Sequence, residues 1–100
     1  MPAETEKVAC RTPAEGRNGA TNIPKWKFDA VRAAILDAAA APVAFADLPE
    51  AVEARLAPAD RERLGSLGWH VTTVKLELEV RGELERLPGG GRQTIKATGR

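Results

Sequence analysis

The run Val74-Lys75-Leu76-Glu77-Leu78-Glu79-Val80 constrains this chain more than any other, because it fits two secondary structures at once. Its strict alternation of apolar and charged residues is the period-2 signature of a half-buried strand. Read at 3.6 residues per turn, the same letters put Leu67, Val71, Val74 and Leu78 on one narrow helical stripe. Length decides between them. A strand continued through Gly82 to Leu87 would run to about 17 residues, where five or six is usual. The spacing therefore predicts a helix that stops at Gly82.

Ser66 is the expected N-cap of this helix, and Gly82 takes the left-handed position that ends it. Arg81 in the last turn suits the negative end of the helix dipole. Beyond the stop, Glu83–Leu87 and Arg92–Ala97 flank Pro88-Gly89-Gly90-Gly91 and read as two short strands joined by a turn.

One hundred residues support a single domain with one modest core. Aromatic residues are few, so Leu, Val, Ile and Ala must fill that core around Trp26, Phe28, Phe45 and Trp69. The net charge of +1 is unevenly spread: residues 1–32 carry six Lys/Arg against four acids, residues 33–80 four against eight, and residues 81–100 five against two. The ends are basic and the middle acidic, a weaker footprint than a compact nucleic-acid binder usually shows. Cys10 is the only cysteine, which excludes an internal disulfide and any CxxC motif and points to a reducing compartment. Without an apolar leader or a run of 18 apolar residues, the expectation is a soluble cytoplasmic protein with no membrane partner.

Residues 1–22 read as a flexible N-terminal arm, disordered or laid over the body, with Val8 and Cys10 as anchors. The domain proper spans residues 23–98. Phe28, Val31, Ile35 and Ala38 or Ala39 share one face of a first helix over Lys25–Ala40, with Trp26 covering the core edge. Val43-Ala44-Phe45 suits a third strand that ties the hairpin to the body. Asp47-Leu48-Pro49-Glu50 reads as a capping box that opens a second helix, with Leu48, Val52 and Leu56 turned inward. A further short turn of helix is expected over Ala59–Leu64.

Candidate chemistry is sparse. Ser66, His70 and Glu77 lie along one helix side, but side chains on one helix diverge and close no pocket, so no catalytic residue is assigned and an enzyme is not expected. A lone His70 without a Cys or acidic cluster gives no metal site, and no cofactor is implied. Gly89-Gly90-Gly91-Arg92 lacks the ending and the following helix of a phosphate-binding loop.

The segment Leu76-Glu77-Leu78-Glu79-Val80-Arg81-Gly82-Glu83-Leu84-Glu85-Arg86 resembles the end of a recognition helix running into the wing of a winged helix-turn-helix domain. The whole sequence resembles a small uncharacterised bacterial family of that type. The resemblance covers about Lys25–Ala97. It implies an α+β fold, mostly helical, with three main helices and a small antiparallel β-hairpin wing. It also implies a helix over Ser66–Arg81 lying in the major groove of double-stranded DNA, with the tip around Gly89–Arg92 reaching a phosphate or the minor groove. Such a transcription-related DNA binder would use Arg86, Arg92 and Lys96 on phosphates, Lys75, Arg11 and Arg17 for further contacts, and Thr72 and Thr73 nearest the bases.

A second function class stands beside it. The helix side opposite the core stripe carries Trp69, Thr72, Thr73, Leu76 and Val80, where a base-reading helix presents Arg, Lys, Asn or Gln. Trp69, Leu76 and Val80 are instead candidates for a protein interface, most simply a homodimer without nucleic-acid binding. Because the helical reading of Val74–Val80 places Val74 and Leu78 in the core, Leu78→Ala is expected to cost about 2 to 5 kcal/mol and Glu77→Ala little.

Overall fold

The computed structural model describes residues 6–10, 21–88 and 93–99. Two strands come first, β1 (Lys7–Cys10) and β2 (Thr21–Pro24), followed by α1 (Lys25–Ala38), β3 (Val43–Ala44) and a 3-10 turn over Phe45–Asp47. Then come α2 (Leu48–Glu53), α3 (Pro58–Leu64), α4 (Leu67–Arg81), β4 (Leu84–Leu87) and β5 (Thr94–Ala97). The result is a small α+β protein of four helices and two small antiparallel sheets among the described residues.

The segment that could have been strand is helix. Ser66 holds an extended conformation (φ −69°, ψ 111°) and its side chain accepts a hydrogen bond from the Trp69 amide at 3.3 Å, so it caps α4. At the other end Gly82 sits at φ 78°, ψ 16°. Its N–H donates to the Glu79 carbonyl and that of Glu83 to the Leu78 carbonyl, at 3.1 and 2.9 Å. This crossed pair satisfies two orphan carbonyls and requires the left-handed backbone that glycine adopts without a Cβ clash. Val71, Val74 and Leu78 are fully buried, while Leu67 packs at the core's margin.

Around α4 the core gathers Phe28, Val31, Ala34 and Ile35 from α1, Leu48 and Val52 from α2, Leu64 from α3, and Leu84 and Ile95 from the hairpin. β3 pairs with β5 through Val43 opposite Ile95, and β5 pairs with β4 through Leu84 opposite Ala97. The sheet order is β3-β5-β4, so the strand between α1 and α2 is joined to the last strand of the chain.

Two details differ from the reading of the sequence. Asp47 makes no side-chain cap bond and lies in helical conformation at φ −93°, ψ −6°. The 3-10 turn winds directly into α2, which moves the extended residue back to Ala44 and leaves Asp47 without cap geometry. Within the segment read as an arm the expected anchors hold, Cys10 buried in the core and Val8 packed against it, but Lys7–Cys10 is in addition a strand in register with Thr21–Pro24. The Lys25 amide also donates to the Glu6 carbonyl at 2.8 Å, so β1 runs alongside the entry to α1. The hairpin tip at Gly89–Arg92 and the arm residues Arg11 and Arg17 lie outside the described residues.

Candidate functional site: two faces of the long helix

The inner side of α4 carries charge as well as apolar residues. Lys75 is 2% exposed and Glu77 1% exposed. The Lys75 ammonium donates to Gln93 Oε1 at 2.6 Å, pairs with Glu79 at 2.5 Å and lies 4.8 Å from the centre of the Phe45 ring. Glu79 also accepts from Arg86 Nε at 3.2 Å. Four elements are joined in this way: α4, the turn after β3, the lead into β5, and β4. A turn further along the helix Arg81 Nε donates to Glu77 at 2.8 Å, and the guanidinium lies 4.7 Å from the Phe28 ring of α1. Among the described residues no buried side-chain nitrogen or oxygen lacks a hydrogen-bond partner. A low-dielectric interior makes such complete satisfaction a requirement.

These contacts change the roles expected of several residues. Lys75, read as a phosphate contact, is enclosed and held by three internal partners, so it is withdrawn from any surface. Glu77, expected to be replaceable at little cost, is buried under Arg81. Arg86 is exposed but bridged to Glu79, Lys96 is half-buried, and Arg92 lies outside the described residues. The sequence did hold a signal for the internal pairs: Lys75 and Glu79, and Glu77 and Arg81, stand at i,i+4 spacing, where opposite charges on a helix meet. That spacing shows pairing and says nothing of burial.

The outward side of α4 is uncharged. Trp69 is 47% exposed, the exposed large apolar side chain among the described residues. Thr72 is exposed, and Thr73, Leu76 and Val80 are half-buried. Beside Trp69 the His70 ring is buried, in edge contact with the indole at 4.8 Å between centroids. Its Nδ1 lies 2.6 Å from the Ser66 carbonyl, to which it donates as the Nδ1–H tautomer. Burial holds the His70 imidazole below its ordinary value. The nearby Lys27 acts in the same direction, and the Ser66 carbonyl opposes both.

Ser66, His70 and Glu77 therefore have separate structural partners: an amide, a carbonyl and a guanidinium. Near the same end of the molecule Trp26 is half-buried beneath the Arg63 guanidinium at 4.6 Å and the Lys27 ammonium at 5.7 Å. Lys27 also donates to the Leu64 carbonyl at the C-terminus of α3, where a cation suits the helix dipole. Among the described residues no group of three His, Cys, Asp or Glu side chains could hold a metal ion, and no helix is long and apolar enough to cross a membrane.

Residues 7–95 match the model of a family of unknown function, DUF6958, and the chain belongs to that family. No curated protein and no solved structure gives a significant match.

Proposed function

We propose that this member of the family is a winged helix-turn-helix domain that serves as a protein-interaction module, with the outward face of α4 as its docking surface. Support for the winged-helix reading comes from the element order after β2: helix, short strand, two short helices, long helix, hairpin. The sheet order β3-β5-β4 supports it too, since it sets the first of these strands beside the last. In that architecture α4 stands where a recognition helix would. The observation that carries the docking reading is Trp69, 47% exposed at the head of an uncharged stripe. Meanwhile the helix's own cations, Lys75 and Arg81, are held by Glu79 and Glu77. A half-exposed indole in a neutral surround is the kind of anchor that dominates interface energies.

The test compares immobilised wild-type chain with a Leu76→Glu variant of equal helicity by circular dichroism. Each is offered cell proteins and purified copies of the chain. Partners retained by the wild type and lost by the variant are the expected result. Identical retention by both, or none, overturns the reading.

Double-stranded DNA remains as a second reading, favoured by the element order alone. Arg86, Arg92 and Lys96 would then meet phosphates, with Thr72 and Thr73 toward the bases. Affinity for a mixed-sequence duplex would fall with salt at a slope of about −0.9 per phosphate neutralised. Fluorescence anisotropy at low salt decides this: absence of binding by the folded chain removes the reading.

A further inference from the structure

We propose that the protein docking on α4 brings an acidic side chain to the Trp69 end of the helix, where Lys27 and Arg63 receive its carboxylate beside Trp26. The inference rests on the docking reading above and names the chemistry of the partner. Lys25, Arg32, Arg55, Arg61, Lys75 and Arg81 each meet a carboxylate of this chain. Lys27 meets none among the described residues. Its ammonium donates instead to the Leu64 carbonyl at 3.1 Å and lies 5.7 Å from the centre of the Trp26 ring. That carbonyl takes one of the three N–H donors and leaves the others for a further acceptor. Lys27 is also half-buried, and a charge partly withdrawn from water attracts an incoming carboxylate more strongly than an exposed one does.

Arg63 is exposed and adds a second cation on the same indole, its guanidinium 4.6 Å from the ring centre. A guanidinium presents a fork of N–H donors that matches a carboxylate. The patch adjoins the docking face through the chain itself: the Leu64 carbonyl that Lys27 holds comes just before Ser66, whose hydroxyl accepts from the Trp69 amide. Charge then selects among partners. A neutral apolar segment laid over this end would strip water from the cations without supplying an acceptor, and a basic one would be repelled. A segment with Asp or Glu next to an apolar side chain satisfies both the cations and Trp69. Nucleic acid fits less well, because a phosphate backbone needs a track of cations, and α3 carries Asp60 and Glu62 alongside Arg63.

Selection of random peptides, displayed on phage, against the immobilised wild-type chain is the experiment. The expected winners carry more Asp and Glu than Lys and Arg, next to an aromatic or aliphatic residue. A synthetic copy of the most enriched peptide should bind at least about tenfold more weakly to a chain carrying both Lys27→Gln and Arg63→Gln. Lys27→Gln keeps a donor for the Leu64 carbonyl, and the double variant is checked for wild-type circular dichroism. Replacing the peptide's own acids by amides should weaken binding to the wild type by a similar factor, a route independent of the stability of the chain. Winners without an acidic excess overturn the acidic partner. So does affinity unchanged by the double variant, or no enrichment at all. Tighter binding of a labelled oligothymidylate than of any selected peptide also overturns it, and gives the patch to nucleic acid. If the winners lack acids but lose their binding with Leu76→Glu, the docking reading stands and only this partner chemistry falls.

Discussion

Ion pairs on the outer sides of α1, α2 and α3 and those on the inner side of α4 have nearly the same lengths and very different surroundings. Arg55 meets Asp37 at 2.7 Å and Arg61 meets Glu53 at 2.8 Å, each with both partners open to water. Lys75 meets Glu79 at 2.5 Å and Arg81 meets Glu77 at 2.8 Å, and in each of these pairs at least one partner is enclosed. Distance alone would rank all four together. Burial separates them: exposed pairs are worth about 0 to 1 kcal/mol, whereas an enclosed charge that loses its partner costs several. The group of Lys75, Glu79, Gln93 and Arg86 thus binds the hairpin to the helix, whereas the Arg55 and Arg61 pairs stay solvated.

The sharpest way to break this contrast is Glu79→Ala. It takes the carboxylate away from the Lys75 ammonium, which is 2% exposed, and leaves the neutral Gln93 amide oxygen and the Phe45 ring in contact with an uncompensated charge. We expect a loss of about 3 to 5 kcal/mol in urea or thermal unfolding. Removing both charges with Lys75→Met and Glu79→Leu together should recover most of that loss, since a well-packed apolar pair avoids the desolvation of two ions. A single Glu79→Ala that unfolds like the wild type would show that water reaches Lys75 and that the inner pairs are no different from the outer ones.

How far this contrast was legible in the sequence follows from what kind of information each feature needs. The long helix, its Ser66 cap, its Gly82 stop and the hairpin beyond are written in local chemistry: a hydroxyl before a run of helix formers, a glycine at the end, turn residues between alternating runs. β3 was legible for the same reason. Burial of Lys75 and Glu77 depends on α4 being covered on several sides at once, by α1, by α2 and by the hairpin, and no period within the helix records how many neighbours it will have. The pairing of Lys7–Cys10 with Thr21–Pro24 likewise brings together two four-residue strands from separate parts of the chain. At Asp47 the local signal was present and lost, because a 3-10 turn took the place where the cap would sit. On the outward face Trp69, Leu76 and Val80 were picked out by periodicity alone, and the 47% exposure of the indole overturns its other reading as one of the large pieces of the core, of which Phe28 alone is fully enclosed.

A smaller effect comes from His70, which belongs to the enclosed side of the comparison but carries no charge at neutral pH. Its folded pKa lies below the ordinary 6.5, through burial first, with Lys27 adding to it. The unfolded chain therefore takes up the proton before the folded one does. The corresponding stability is fully present above pH 6.5 and is lost as the pH falls from there through the folded value. Urea midpoints at pH 7.5 and 5.5 should differ in the wild type, with the lower value at pH 5.5. Most of that difference should vanish in His70→Gln. A wild type as stable at 5.5 as at 7.5 would place the imidazole in contact with water.

The smallest effect expected is Arg61→Ala, and its smallness is the other half of the contrast. Arg61 donates to Glu53 at 2.8 Å and approaches the Gly65 carbonyl at 3.5 Å, and all of these groups remain open to solvent. When the guanidinium is removed, Glu53 recovers its hydration without movement of the core, so the loss should stay under about 1 kcal/mol. Screening adds a second readout. At about 1 M salt the Debye length is near 3 Å, and the difference between wild type and Arg61→Ala should shrink toward zero. The difference caused by Glu79→Ala should persist under the same salt, because counter-ions cannot enter around Lys75. If both differences fade together, the two sets of pairs share one environment and the division between the inner and outer faces is lost. If only the Arg61 difference fades, α4 is fastened to its hairpin from the inside, by charges that salt does not reach.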